Sequence, residues 1–355
     1  MKIASTRVRA VKVPMAEPHR TASGVIENSP LVLVEVTTDD GVTGQAILFA
    51  YAELALVPLA GLTRNLAALI EGEDLAPTSL TDGLLARLRL LGGQGLAAMA
   101  VAGLDMAMWD ALARARDLPL YALLGARPKS IHPYGAIGYD GEAGSAKVAE
   151  ALIAKGFRGV KAKIGYPTVA EDLAVLRAIR RAIGPEPAMM VDYNQSLDQA
   201  EAARRIAALA GEGLTWIEEP VLAHDFPGLA ALGGHGVALQ AGENWWGPPE
   251  FHLAAEAGAA DLWMPDVMKC HGITGWMRVA GLAATRGIPL SNHLWSELSA
   301  QMMCAAPTAG WLEYCDWWNP ILAEPMRMRD GTVDFEDVTG TGMAFDEAAV
   351  ETFVI

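Results

Sequence analysis

The sequence predicts an α/β protein in which a parallel (β/α)8-type barrel follows a smaller α+β domain. From about residue 131 onward, short apolar runs alternate with helical patterns, and eight of the runs have the length and composition of strands. The charged residues that end these runs mostly lie roughly 20 to 30 residues apart, about one strand–helix unit of such a barrel. Alternating strands and helices indicate a parallel sheet, and eight such strands most naturally close into a barrel.

The N-terminal part begins with a strand at residues 3–13, where apolar residues alternate with polar ones. A polar, glycine-bearing stretch at residues 17–30 is typical of a surface loop. Two apolar runs then flank Asp39-Asp40-Gly41, which predicts a hairpin. Helical patterns follow at residues 52–71, 78–91 and 96–116. We therefore expect an α+β domain over residues 1–127, to which the tail at residues 321–355 returns.

The barrel is expected over residues 128–320. Its strands are predicted at residues 131–137, 158–164, 188–193, 214–218, 238–242, 261–265, 288–292 and 311–314. The intervening helices are predicted at residues 144–155, 168–183, 198–211, 249–257, 273–286 and 296–305, with only a short segment after Phe226.

Composition narrows the classes of function. Hydrophobic residues make up 52% of the 355 residues and the formal net charge is −15, which favours a large core and argues against nucleic acid or an anionic membrane as partner. The three cysteines show no CxxC spacing, so a reducing cytoplasmic compartment is expected. The N-terminus lacks the apolar segment of a signal peptide, and no uninterrupted apolar run has the length of a membrane span.

Three consecutive predicted strands end in carboxylates, Asp192, Glu218 and Glu243. Since parallel strands of a barrel end at the same face, the three should lie close together. Oxygen ligands without cysteine or a histidine pair suit a hard cation, most simply Mg²⁺. Any one of these residues could equally be a solvated or helix-capping carboxylate, but three in register favour the metal site.

Lys161 and Lys163 are separated by one residue, so both point to the same face of a strand. The apolar Val160 and Ile164 occupy alternate positions, as expected where the outer face of a barrel strand meets helices. Two ammonium groups and a divalent cation in one cavity would lower the pKa of each lysine, which makes one of them available as a general base. An isolated pair of this kind would more often be exposed.

A second base is expected at the end of the seventh strand. His293 lies there, and Asp266 on the neighbouring strand can fix the tautomer of its imidazole. Glu313 ends the eighth strand and could donate a hydrogen bond to an anionic intermediate as a protonated acid. Lys269 follows Asp266 by three residues and could also be a base, although a lysine without a catalytic part is the simpler interpretation.

This set of groups predicts removal of a proton α to a carboxylate. The product of that step is an enediolate dianion, which a divalent cation, a lysine and a neutral carboxylic acid can stabilise. A second base on the far face can return the proton with inversion, which is racemisation. If the substrate carries a β-hydroxyl, the same intermediate can expel it, which is dehydration.

The chain resembles the enolase superfamily, and within it the mandelate racemase subgroup. The resemblance runs over nearly the whole chain and is carried by KAKIGYP at residues 161–167, VDYNQSLD at 191–198, WIEEP at 216–220, GENW at 242–245, MPD at 264–266, GITGW at 272–276 and WLE at 311–313. It implies a modified (β/α)7β barrel and an N-terminal capping domain whose loop near residues 17–30 closes over the barrel. It also implies a homo-oligomer that acts on a small carboxylate.

The same resemblance assigns roles to the residues at the strand ends. It implies that the three carboxylates bind Mg²⁺, that Lys163 is the base for one enantiomer, and that His293 with Asp266 is the base for the other. Lys161 would neutralise the substrate carboxylate and Glu313 would be the electrophilic acid. Asn194 would contact the α-hydroxyl.

The positions expected to line the substrate pocket depart from the subgroup's namesake. Ile137-Gly138 stand where it has a His-Ser pair, Ser23 and Ile26 replace lid valines, and Tyr314-Cys315 replace a pocket leucine. Tyr51 is kept and is expected to close the pocket. Trp317 and Trp318 fit either a remodelled pocket or a domain interface.

Three functions are compatible with these residues. The first is an Mg²⁺-dependent racemase or epimerase of a 2-hydroxy carboxylate, which the apolar, tryptophan-rich flanks favour. The second is a dehydratase of a polyhydroxylated sugar acid, with His293 as general acid for the leaving hydroxyl. The third and most remote is a non-catalytic ligand-binding barrel.

Overall fold

The computed structural model describes residues 1–21 and 24–355, without the side chains of residues 16, 17 and 19–21. Its N-terminal part is an antiparallel sheet in the order β1-β2-β3, packed against helices. The strands are β1 (Ile3–Thr21), β2 (Gly24–Thr38) and β3 (Thr43–Phe49), and the helices are α1 (Glu53–Ala67), α2 (Pro77–Arg87), α3 (Gly95–Arg114) and α4 (Leu120–Leu123).

The expected surface loop at residues 17–30 is wrong. Strand β1 continues to Thr21 and β2 begins at Gly24, so the two strands form one long hairpin whose pairing includes Thr21 with Gly24. A register shift between Pro14 and His19 interrupts the ladder. Ladder hydrogen bonds form between backbones whatever the side chains are, so a polar composition does not prevent strand pairing. Ser23 lies outside the described residues.

Helix α3 is the central helix of this part of the chain. By length and composition it is apolar enough to cross a membrane, but 78% of its apolar window is buried inside the fold. Residues such as Val101, Leu104 and Met108 are fully buried in the main hydrophobic core. An apolar helix of this kind is the core helix of the domain, against which β3 packs.

A parallel sheet of seven strands in the order β10-β4-β5-β6-β7-β8-β9 forms the second part of the fold. Its strands are β4 (His132–Ile137), β5 (Gly159–Lys163), β6 (Ala188–Asp192), β7 (Ile217–Glu218), β8 (Leu239–Ala241), β9 (Leu262–Trp263) and β10 (Trp311–Glu313). Its helices are α5 (Gly141–Ala154), α6 (Val169–Ile183), α7 (Gln199–Leu209), α8 (Phe226–Ala231), α9 (Gly247–Ala257), α10 (Gly272–Arg286) and α11 (Ser296–Ala305).

The sheet closes into a barrel through residues 290–293. This segment is predicted as a full strand but contributes only single bridges, which join Leu290 to Trp263 and Ala309, and His293 to Asp266. It therefore occupies the place of the seventh strand between β9 and the chain entering β10. The predicted fold class, a modified barrel behind an α+β N-terminal domain, is confirmed.

Short-range signals set the ends of the barrel helices. Thr168 and Glu171 form a capping box that starts α6, and glycines in the left-handed conformation end α9 and α10 at Gly258 and Gly287. The helices connect parallel strands, so the carboxyl ends of all the strands lie at the same face of the barrel.

The C-terminal segment packs on the N-terminal sheet. Val354 bridges Val11 of β1, and the Arg9 guanidinium lies 2.7 Å from the Glu347 carboxylate. The segment contains a 3-10 turn (Asn319–Ile321), β11 (Met328–Arg329), β12 (Thr332–Val333) and the short helix α12 (Glu347–Glu351), where the sequence predicts no clear helix. The domain limits at residues 127 and 320 stay predictions.

Candidate active site

The three carboxylates predicted as metal ligands lie on consecutive strands. Asp192 ends β6 and pairs in register with Glu218, which ends β7, and Glu243 lies two residues beyond β8. Asp192 and Glu218 are buried, and the Glu243 side chain is 13% exposed. The backbone after β6 and β7 has positive φ at Asn194 and Glu219, a strained conformation that is common at functional sites.

The two lysines of β5 point into the barrel and contact different carboxylates. Lys161 Nζ lies 2.8 Å from Glu218 Oε1 and 2.7 Å from Glu313 Oε1. Lys163 Nζ lies 3.4 Å from Asp192 Oδ2 and donates a hydrogen bond to Asn194 Oδ1 at 2.6 Å. The alternate residues Val160 and Ala162 are fully buried in the outer core. The expected inward face of the strand is therefore the one that carries both lysines.

His293 and Asp266 form the expected pair. His293 Nδ1 lies 2.7 Å from Asp266 Oδ2, and Asp266 Oδ1 accepts hydrogen bonds from the backbone N–H groups of Met268 and Lys269. Because Nδ1 is bound to the Asp266 carboxylate, Nε2 is the ring nitrogen that remains for proton transfer. It lies 3.3 Å from Glu243 Oε2. Burial lowers the pKa of His293, but Glu243 and Asp266 outweigh it and raise the pKa.

The contacts of Glu313 favour its ionised form, and its expected part as a protonated acid stays a prediction. Burial raises its pKa, but Lys161 and His293 together lower it below the ordinary value. One carboxylate oxygen accepts a hydrogen bond from the Leu294 N–H at 3.0 Å, and the other faces Lys161. The physical reason is that the lysine ammonium contacts this carboxylate directly, a contact that sequence spacing does not reveal.

The donor set fits a hard divalent cation, although its members do not yet surround a common point. Within residues 1–21 and 24–355, no three acidic, histidine or cysteine side chains are already arranged as ligands of one ion. Each candidate ligand contacts a different basic side chain: Asp192 contacts Lys163, Glu218 contacts Lys161 and Glu243 contacts His293. Binding an ion would therefore require the carboxylates to turn from these partners.

Electrostatics at the three strand ends also favour a cation. Burial, together with Asp192 and Glu243, raises the pKa of Glu218 well above its ordinary value in spite of Lys161. The neighbouring Glu219 is fully buried, and its Oε1 has no hydrogen-bond partner within the described residues. Buried carboxylates this close together repel one another, and hard cations prefer such all-oxygen surroundings.

Two further residues belong to the site although the sequence pattern alone gives them no role. Asn244 donates hydrogen bonds to Glu219 Oε2 at 2.7 Å and Glu243 Oε1 at 3.0 Å, and its own Oδ1 accepts one from Lys269 Nζ at 2.7 Å. Lys269 is 5% exposed and its ammonium lies over the rings of Tyr51 and Trp246. Asn244 directly follows Glu243, and Lys269 follows Asp266 by three residues. These positions are the sequence signal from which both residues could have been predicted.

The residues predicted to bind substrate differ in their exposure. Tyr51 is 37% exposed and Ile26 and Gly138 are half-buried, whereas Cys315 is buried and its N–H donates to Ser296 Oγ. Their contacts with a substrate stay predictions.

The two tryptophans beyond Glu313 pack in the core and at the junction of the two parts of the fold. Trp318 is fully buried against Trp295, at 5.4 Å between ring centroids. The Trp317 ring lies 5.3 Å from that of Phe49 in β3.

Taken together, these features define a class of protein: a capped (β/α) barrel with an acidic site and two flanking bases at the carboxyl ends of its strands. Residues 3–125 match the N-terminal domain model of mandelate racemase and muconate lactonizing enzyme, and residues 144–349 match the enolase C-terminal domain-like model. The chain therefore belongs to the enolase superfamily, in its mandelate racemase subgroup, and the predicted family is confirmed. Proteins of this superfamily are enzymes.

Similar proteins catalyse different reactions. A crystal structure of an enolase from Bradyrhizobium, complexed with magnesium and mandelic acid, is 45% identical, has a TM-score of 0.95 and is aligned over 100% of this chain and 98% of its own. An L-talarate/galactarate dehydratase of Salmonella typhimurium is 31% identical over 90% of this chain and 81% of its own length. A D-galactarolactone cycloisomerase of Agrobacterium fabrum is 29% identical over 99% of both chains.

Proposed function

We propose that this chain is an Mg²⁺-dependent racemase or epimerase that removes the α-proton of a 2-hydroxy carboxylate and returns a proton to the opposite face. The observation that carries the proposal is the position of the two bases relative to the three carboxylates. Lys163 contacts Asp192, the first carboxylate along the sheet, and His293 contacts Glu243, the last. The two bases therefore flank the acidic site at opposite ends, as two-base inversion requires.

Asp192, Glu218 and Glu243 would hold the Mg²⁺ ion. When bound, the ion attracts the carboxylate oxygens of a substrate and stabilises the negative charge that develops on them. Magnesium is also present in the Bradyrhizobium structure that resembles this chain.

The chain's own residues would share the proton transfer. Lys161 binds a carboxylate oxygen of the substrate, and Lys163 Nζ takes the α-proton from one face. The electron pair of the broken C–H bond moves into the carboxylate, which gives the enediolate. His293, whose Nδ1 is held by Asp266, delivers a proton from Nε2 to the other face. For the second enantiomer the two bases exchange roles.

Glu313 and Asn194 would act on the substrate's oxygens. Glu313 lies next to Lys161, where the charge of the substrate carboxylate increases during the reaction. A substrate carboxylate that takes over the Lys161 contact would raise the pKa of Glu313, so that Glu313 could take up a proton from water and donate a hydrogen bond to the enediolate. Asn194 is held by Asp192 and Lys163, which leaves it beside the base and within the same half of the site. We assign it to the α-hydroxyl.

Aromatic 2-hydroxy acids are the substrates to test first. The aromatic rings of Tyr51 and Trp246 lie at the edge of the site, and the Bradyrhizobium structure contains mandelic acid. Aromatic side chains favour apolar substrate groups over polyhydroxylated ones.

A sugar-acid dehydratase is the second candidate function. It is favoured by the dehydratase and cycloisomerase relatives at 31% and 29% identity. In that reaction Lys163 removes the α-proton and His293 protonates the leaving β-hydroxyl, so Lys163 acts only as the base and His293 only as the acid.

We also propose that the protein is cytoplasmic and forms a homo-oligomer, as expected from the sequence.

Proton NMR in D₂O tests these functions against each other. The protein is incubated with Mg²⁺ and, in turn, with aryl, alkyl and sugar 2-hydroxy acids; a sample treated with a chelator is the control. Loss of the α-proton signal with an intact substrate skeleton supports the racemase, and a 2-keto acid product supports the dehydratase. Absence of exchange with every acid, while Mg²⁺ binding is measured independently, contradicts both.

A further inference from the structure

Tyr51 lies in a tight turn between the two parts of the fold. It follows β3 by two residues and precedes α1 by two, with φ of 58°. The Ala52 N–H donates a hydrogen bond to Ala50 O at 2.6 Å across this turn. A tyrosine in the left-handed region costs on the order of 1 kcal/mol or more, so it persists only where other contacts hold it.

The contact that holds the hydroxyl is Asp266. Tyr51 OH donates a hydrogen bond to Asp266 Oδ2 at 2.8 Å, and the same oxygen faces His293 Nδ1 at 2.7 Å. The other oxygen accepts from two backbone N–H groups, of Met268 and Lys269. Of these four donors, three belong to the barrel, and Tyr51 is contributed by the N-terminal domain.

The Tyr51 ring is fixed as well. The Lys269 ammonium lies 4.7 Å from its centroid, and the Phe49 ring lies 4.9 Å away. Burial and the Asp266 carboxylate raise the pKa of Tyr51 well above its ordinary value, so the hydroxyl keeps its proton and donates it. Tyr51 therefore has a defined hydrogen-bond partner in the barrel, and the closure of the pocket expected from the sequence stays a prediction.

The other base shows no such dependence. The hydrogen-bond and ion-pair partners of Lys163 among the described side chains are Asp192 and Asn194, both from the barrel. Among the residues that the structure describes, the two halves of the site are therefore unequal, because the N-terminal domain contributes a contact to the His293 half and the contacts of Lys163 come from the barrel.

We propose that Tyr51 is a positioning residue for the His293 half of the site, because it fixes the Asp266 carboxylate that orients His293. The orientation of His293 then depends on how the N-terminal domain packs against the barrel. The inference rests on the proposed function, since it assigns different requirements to the two proton transfers. Removing the hydroxyl frees one side of Asp266 and loosens the imidazole, while Lys163 keeps its contacts.

The test is Tyr51→Phe, which keeps the ring and removes only the hydroxyl. We expect α-proton exchange to fall by about tenfold, the typical effect of losing one hydrogen bond to a charged group, for the enantiomer that His293 deprotonates. Exchange of the other enantiomer should stay within about twofold, and KM should change little. The enantiomers are assigned with His293→Asn and Lys163→Ala, and Tyr121→Phe is the control for loss of a tyrosine hydroxyl elsewhere.

A second readout does not need activity. The proton on His293 Nδ1, assigned by its loss in His293→Asn, should shift in the NMR spectrum of Tyr51→Phe and stay in place in Tyr121→Phe. Equal loss for both enantiomers, unchanged exchange for both, or an unshifted Nδ1 proton overturns the inference. If the wild-type protein exchanges neither enantiomer of any acid, the proposed function fails, and the resonance alone decides whether Tyr51 positions His293.

Discussion

The residues at the barrel's carboxyl end balance several buried charges within a few ångströms. Lys161 alone contacts two buried carboxylates, of Glu218 and Glu313. Charges removed from water persist only when they are paired, so each group here depends on its neighbours. The effect of changing one group therefore depends on whether that group contacts Lys163, His293 or the carboxylate side of the proposed substrate position.

Glu313→Gln should affect both enantiomers equally. Glu313 contacts Lys161, on the carboxylate side of the proposed substrate position, and not either base's reacting atom. We expect the exchange of both enantiomers to fall by about 10²- to 10³-fold, the usual cost of losing one group that stabilises an oxyanion. Proton NMR of each pure enantiomer in D₂O measures this.

Glu297→Gln is the matched control, because Glu297 is a buried carboxyl on α11 that contacts Trp318 and lies outside the proposed machinery. An unequal loss for the two enantiomers of Glu313→Gln would contradict its assignment to the shared carboxylate side.

The sequence predicts which residues lie in the site better than it predicts which residues they contact. Asp192, Glu218 and His293 are predictable because strand ends of a barrel converge. The Tyr51–Asp266 contact is not, because it joins residues 215 positions apart through the packing of two parts of the fold. The contact of Glu313 with Lys161 is not predictable either, because it joins two barrel strands that are far apart in the sequence.

Helix α10 packs closely against the segment that follows Asp266. A Cβ on Gly275 would lie 1.6 Å from Cys270 O, so the first turn of the helix packs directly on the loop that follows Asp266. Gly281, in the same helix, is exposed and would have no atom within 4 Å of such a Cβ. Of these two positions, only Gly275 requires glycine.

Gly275→Ala should destabilise the protein by about 1 to 3 kcal/mol or more, because the backbone must move to admit the methyl group. Gly281→Ala in the same helix should stabilise it by about 0.5 to 1 kcal/mol, since alanine is the better helix former. Urea unfolding followed by circular dichroism compares the two. Equal effects of the two substitutions would show that the close approach at Gly275 does not exist.

Helices are easier to predict than the ends of the inner strands. The sequence predicts strands at residues 214–218 and 261–265, but only Ile217–Glu218 and Leu262–Trp263 are paired as such. An apolar run indicates burial, and the number of its residues that join the ladder depends on the neighbouring strands, which a single run does not contain.

For the whole molecule, a buried acid joins the N-terminal domain to the barrel. Asp105 of α3 accepts hydrogen bonds from Thr81 of α2 and from the hydroxyl and N–H of Thr274 of α10. It is fully buried, and burial raises its pKa to about 6 in spite of these hydrogen bonds. Below about pH 6 the protonated form therefore predominates in the folded state, whereas an ordinary carboxyl is already ionised between about pH 4 and pH 6.

This pKa makes the stability of the wild-type protein depend on pH. Because the folded-state pKa is above the unfolded value, the contribution of Asp105 is complete below the unfolded pKa and is lost as the pH rises through about 6. Between about pH 5 and pH 8 the loss should be about 1 to 1.5 kcal/mol.

Asp105→Asn should remove this part of the pH dependence, so that the variant gains stability relative to the wild type as the pH rises. The free energy of unfolding in urea, measured for both proteins across this range, gives the difference. A difference that stays constant with pH, or one that changes with the opposite sign, would contradict the raised pKa of Asp105.

In the proposed reaction two bases act on opposite faces of one substrate, and exchange of the α-proton by variants that retain one base tests this arrangement. Lys163→Ala and His293→Asn are each incubated with Mg²⁺ in D₂O and with each pure enantiomer of a responding acid. Each variant should exchange the α-proton of one enantiomer only, and the two variants should act on opposite enantiomers. Equal exchange of both enantiomers by either variant would contradict it.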